Sequence, residues 1–182
     1  LATGLVFARF SQTRARVAFS SQVAIGPLDG TPTLMLRVGN ERRGRLVDVS
    51  FRLTLARTTR TAEGVAIFRS LDLQLVRERA PSLSRAWMVI HRIAAGSPLL
   101  GDTPASLTAG EAELTLEVSG FDDVSGQPVH AQRTWQAPAI VWGARLADIM
   151  FEEPDGNLRI DLHRFHELTP TPPVPDFPYT AA

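Results

Sequence analysis

The chain has 182 residues, with 19 basic and 19 acidic side chains and a formal net charge of zero. That length suits one domain with a substantial core, and the balanced charge gives no general affinity for nucleic acid. Cysteine is absent, which excludes disulfides and thiolate metal sites, and all 19 basic residues are arginine.

Leu1 to Ala8 is apolar and meets Arg9, which reads as the last turns of a membrane helix emerging at a positively charged cytoplasmic side. No run of about 20 apolar residues able to span a bilayer is present. Residues 16–25 read as a strand, stopped by Gly26-Pro27 and the turn Leu28-Asp29-Gly30. Residues 33–39 and 45–57 form the next two strands. Between them lies Val38-Gly39-Asn40, where glycine and asparagine let the chain reverse. Four arginines crowd this turn, at positions 37, 42, 43 and 45, and a tip this basic suggests an anionic partner. In the following strand Val47, Val49, Phe51, Leu53 and Leu55 alternate with Asp48, Ser50, Arg52 and Thr54. One face is therefore expected in the core and the other in solvent.

Strands are expected again at 65–76, 86–93, 112–119, 129–135, 140–151 and 158–162. One short helix is expected from Thr103, an N-cap residue before Pro104, to about Gly110. Gly120 to Gly126 reads as a turn. From Thr169 the chain is rich in proline, and an extended or disordered tail is expected over 169–182. Many short strands separated by turns indicate an all-β sandwich.

Four segments carry a resemblance to a known family. They are Leu34-Met35-Leu36-Arg37-Val38-Gly39-Asn40-Glu41-Arg42, Ser97-Pro98-Leu99-Leu100-Gly101-Asp102-Thr103, Trp142-Gly143-Ala144-Arg145 and Asp161-Leu162-His163-Arg164-Phe165-His166. In this order and spacing they resemble the C-terminal cytoplasmic domain of prokaryotic inward-rectifier potassium channels. The resemblance covers roughly residues 4 to 168. It implies an immunoglobulin-like β-sandwich with one short helix, four copies of which surround a cytoplasmic vestibule beneath the pore. Residues 1–15 would then be the end of the inner membrane helix and a linker, residues 16–168 the sandwich domain, and 169–182 the tail. The location implied is the cell inner membrane, with this domain on the cytoplasmic side of a voltage-gated type of channel.

The same resemblance implies roles for particular residues. Asp48 and Glu78 match acidic positions lining the cytoplasmic pore, and Asp122 and Asp123 lie in a loop that forms a girdle at its top. Rings of four such acids would concentrate potassium and other cations, and magnesium or a polyamine would be the blocker. Arg9, Arg14 and Arg16 in the linker, with Arg42 and Arg43 at the tip, would meet an anionic, phosphoinositide-like lipid. Gln132 stands where relatives carry an arginine, and Ser119 where some carry an acid, which reduces the charge expected in the pore. From the residues alone Asp48 reads as a surface aspartate and 120–126 as a surface turn. His163 and His166 lack partners for a metal site, no nucleophile elbow or glycine-rich phosphate loop is present, and no cofactor or enzymatic activity is expected. The alternative is a soluble immunoglobulin-like module that binds protein through a strand edge.

Overall fold

The computed structural model describes residues 16–172. Its strands are β1 (Val17–Phe19), β2 (Val23–Leu28), β3 (Thr31–Asn40), β4 (Leu46–Arg60), β5 (Ala66–Leu73), β6 (Arg79–Leu83), β7 (Ala86–Arg92), β8 (Glu113–Asp122), β9 (Pro128–Gln136), β10 (Ile140–Trp142), β11 (Ala144–Leu146), β12 (Met150–Glu152), β13 (Leu158–Ile160) and β14 (Leu168–Pro170). They form two five-stranded sheets and two small ladders.

In the first large sheet β3 pairs with β7 on one side, and with β2 and then β1 on the other. β10 lies parallel to β2 at its edge. In the second, β4 pairs along one side with β8, which pairs with β9, and along the other with β5 and β6 in turn. The inward faces meet in one apolar cluster that joins Ile25, Leu34, Leu36 and Val38 to Leu53, Leu55, Leu114, Leu116 and Trp135. Burial of alternate side chains from both sheets is the reason these strands hold together, and the result is the expected all-β sandwich.

Several boundaries differ from those expected. The strand at 16–25 is interrupted at Ser20 to Gln22. There the Ser20 carbonyl accepts the indole N–H of Trp135 at 3.0 Å and its hydroxyl accepts Arg37 N at 3.1 Å, so the backbone leaves the ladder to bridge the two sheets. Gly26 and Pro27 do not stop β2 but lie within it, opposite Thr33 and Pro32. The strand expected at 140–151 is three strands, broken at Gly143, which takes φ +73°, and again over 147–149. β6 escapes the alternation pattern altogether. The last strand, β14, carries pairing into the proline-rich stretch, Pro170 lying opposite Ala144.

The one α-helix among the described residues, α1 (Pro104–Ala109), is where it was expected. Thr103 caps it, its hydroxyl accepting Ser106 N while the Ser106 hydroxyl accepts Thr103 N. α1 closes one end of the sandwich through Leu107, which is buried.

Candidate functional site

β4 places the first candidate. Its register against β8 slips between Val47 and Ser50, and Asp48 occupies this bulge at φ +49°. Aspartate tolerates the left-handed region better than a branched residue does. The bulge moves Leu46, not Val47, into the core. Arg79, opposite Ser50 in the β4–β6 pairing, donates to Asp48 Oδ1 at 2.6 Å. Ser50 is on the outward face of the sheet, so this exposed ion pair is too.

That outward face is polar across β4, β8 and β9. Ser50 Oγ lies 2.8 Å from Ser119 Oγ, and Thr115 Oγ1 lies 2.8 Å from Thr134 Oγ1. Arg52 reaches Asp72 through Nε at 3.0 Å. Glu117 sits at the middle of the face, opposite both Arg52 and Gln132. Glu117 is not among the acids expected in the pore, although the alternation of Glu113, Thr115, Glu117 and Ser119 with Leu114, Leu116 and Val118 marks it as outward. Arg133 lies on the other side of β9, over the Trp135 ring at 5.5 Å, so it does not supply the arginine that Gln132 replaces on this face. Glu78 is exposed just before β6, and its carbonyl accepts Phe51 N at 2.8 Å.

The second group of candidates meets at the junction of two loops. Asp122, only 8% exposed, takes Arg42 Nε on Oδ2 at 2.8 Å. Its Oδ1 accepts Val124 N, Ser125 N and the Ser125 hydroxyl. The Ser125 backbone and the Arg42 guanidinium hold its carboxyl down at a pKa of about 2. Beside it Asp123 accepts Arg45 N at 2.9 Å and Arg45 Nε at 3.2 Å. Gly44 leaves the room for this contact, since a Cβ there would meet Asp123 Oδ1 at 2.5 Å. Asn40 Nδ2 donates to Gly44 O and Leu83 O while its Oδ1 accepts Arg42 N, which braces the tip from behind.

Two of the candidate groups are thereby joined. Arg42, from the basic set, and Asp122 and Asp123, from the acidic set, belong to one hydrogen-bonded unit. Arg16 is drawn to the same place: its carbonyl accepts Glu41 N at 2.9 Å. Arg43 is exposed on the tip. Arg9 and Arg14 lie outside the described residues. Asp48 and Glu78 stand apart from this unit, at the β4–β6 edge.

Among the described residues no cluster of three or more His, Asp or Glu side chains is placed to hold a metal. His166 is a structural contact whose Nδ1 accepts Ser21 N at 3.2 Å. No helix of the described residues is long and apolar enough to cross a membrane.

Comparison with known proteins gives the site its context. Residues 17–181 match the family model described as inward rectifier potassium channel C-terminal domain. The chain is 35% identical over 168 residues to the inward rectifier potassium channel Kirbac3.1 of Paramagnetospirillum magnetotacticum, covering 92% of this chain and 57% of that one. It is 29% identical over 178 residues to the human G protein-activated inward rectifier potassium channel 3, covering 93% of this chain and 45% of the relative. With the bovine ATP-sensitive inward rectifier potassium channel 12 the identity is 27% over 181 residues, covering 94% and 42%. The chain thus spans about half the length of these relatives. They are channels, not enzymes, and the relatives named are inward rectifiers, so the expectation of a voltage-gated channel is corrected.

Proposed function

Because this chain belongs to the inward-rectifier potassium channel family, as its C-terminal domain, we propose that it is the cytoplasmic gating and ion-vestibule domain of a homotetrameric potassium channel in the cell inner membrane. Four copies turn the polar face of the β4–β8–β9 sheet toward a shared axis. Asp48 and Glu117 then recur around that axis. Their fields raise the local cation concentration and disfavour anions, for potassium in transit and for magnesium or a polyamine as blocker. Asp122 has another task, since its lone pairs are committed to Arg42 and the 124–125 backbone.

The observation that supports coupling is the Arg42–Asp122 ion pair, 80 residues apart in sequence. Arg9, Arg14 and Arg16 on the linker side and Arg43 at the tip suit the phosphates of an anionic lipid. A lipid that draws the tip toward the membrane moves Arg42, and with it the 122–126 loop at the head of the vestibule. Ligand binding and gate position become one equilibrium biased by one pair.

Flux from proteoliposomes carrying the full-length channel tests this. Arg43→Gln combined with Arg16→Gln should weaken phosphoinositide binding. Arg42→Gln should leave binding to lipid vesicles nearly intact while the flux response to the lipid falls several-fold. A flux response that survives Arg42→Gln unchanged refutes the coupling. Asp48→Asn should weaken magnesium or polyamine block, and block unchanged at every voltage would remove Asp48 from the ion path.

A further inference from the structure

A cavity of about 590 Å³ separates the β7 edge from the β12–β13 hairpin, within the size range of small-molecule sites. In the β3–β7 pairing Arg37 lies opposite Met88, so both side chains rise from the same face of the sheet, beneath the segment around 148–160. Met88 makes one wall, and Met150 and Ile160 the other. In the β12–β13 register Met150 is opposite Ile160 and Glu152 opposite Leu158, so Leu158 prolongs the apolar wall outward. Met150 and Leu158 are 62% and 69% exposed, large apolar side chains left to water. Two of the chain's three methionines flank the cavity, and methionine adapts its shape to apolar ligands.

The floor carries a charge. Arg37 is 3% exposed, and its guanidinium donates to carbonyl oxygens: Ala147 O at 2.6 Å, Phe165 O at 3.0 Å and Arg164 O at 3.4 Å. Burial holds its guanidinium below the ordinary pKa, and the field of Asp148 only partly offsets this. A guanidinium has five N–H groups, more than these three carbonyls take. Arg85 adds a second cation at the rim, with Ser82 and Ser84 beside it. Asp148 also lines the cavity, but its carboxylate engages Arg145 at 3.2 Å and its side chain is 70% exposed.

We infer that this cavity binds a small amphipathic carboxylate, its apolar body between Met88 and the Met150–Ile160 wall and its carboxylate over Arg37 and Arg85. The site lies away from the Asp48 face and the Arg42–Asp122 junction, and does not depend on the channel reading. An alkyl chain matches the walls, and a carboxylate matches a buried cation whose neighbours are carbonyl oxygens, the Phe165 ring and an exposed Asp148 already engaged by Arg145. A neutral alcohol of the same length would satisfy only the walls.

Isothermal titration of the full 182-residue chain with decanoate, against decanol as the neutral probe, tests the proposal. Decanoate should bind at least about tenfold tighter than decanol, the worth of a charge-assisted bond at a buried site. Arg85→Gln should weaken decanoate about threefold and Asp148→Asn should tighten it by a similar factor, the scale of rim charges, with decanol indifferent to both. Met150→Asp, at an exposed position that leaves folding intact, should remove binding of either probe. Decanol binding as tightly as decanoate, decanoate indifferent to both charge variants, or no decanoate binding at all would each overturn it.

Discussion

His91 shows how much a single buried side chain can settle. It is buried, and its Nδ1 lies 2.7 Å from the Gln74 carbonyl, which can only accept, so Nδ1 carries the proton. Nε2 then accepts the Ser97 hydroxyl at 2.8 Å, which fixes the turn after β7. Burial lowers the His91 pKa below its ordinary value of 6.5. The folded state therefore binds a proton less readily than the unfolded chain. The stability from neutral His91 is complete above about pH 6.5 and is lost as pH falls toward its folded pKa. Urea midpoints should drop as pH falls below about 6.5, and His91→Gln should flatten that slope. Asp122 behaves in the same sense at lower pH. With a folded pKa of about 2 against 3.8 ordinarily, its contribution is whole above the ordinary carboxylate range and disappears on acidification toward pH 2. Asp122→Asn should shorten the acid limb of the same titration. The alternation along β4 made Asp48 legible as a solvent-facing acid. Neither its bulge nor the Arg42–Asp122 partnership was legible, because one depends on a register slip against β8 and the other joins side chains 80 positions apart.

At the scale of elements, the clearest sequence signals were those with local causes. α1 was readable because Thr103, Pro104 and Ser106 supply its cap within four residues. β4 was readable because its core side chains alternate over many positions. β6 was not: Arg79, Pro81 and Ser82 give it no period, and it is a strand only because β4 offers an unpaired edge beside Leu46 to Ser50. The end of β3 depends on a contact of the same long-range kind. Gly39 lies under Phe165, where a Cβ would stand 2.9 Å from the ring, and the Arg37 guanidinium lies 5.7 Å from the same ring. Gly39→Ala should therefore lift the 162–168 segment from β3 and cost about 1–3 kcal/mol in equilibrium unfolding, the range for overpacking a tight contact. Proteolysis should locate the damage, with cleavage rising between residues 147 and 168 and not in β8 or β9.

Across the whole molecule, stability rests on the apolar layer between the sheets, with exposed ion pairs such as Arg52–Asp72 adding little. Leu55 is fully buried between them, and Leu55→Ala should cost about 2–5 kcal/mol, measured as a shift in urea midpoint with an unchanged m-value. The sandwich class followed from strand number and turn spacing, but the partner order of the strands did not, since pairing is decided by the three-dimensional closure of the layer. The parallel alignment of Ile140–Trp142 with Val23–Ile25 has a consequence in time. Val23–Ile25 leaves the ribosome well over a hundred residues before Ile140–Trp142, so one flank of the early hairpin waits bare until the later segment is made. Long-range pairings of this sort slow folding and leave strand edges open to neighbouring nascent chains, so shortening the delay, by circular permutation that brings the two segments together, should raise the yield of native protein.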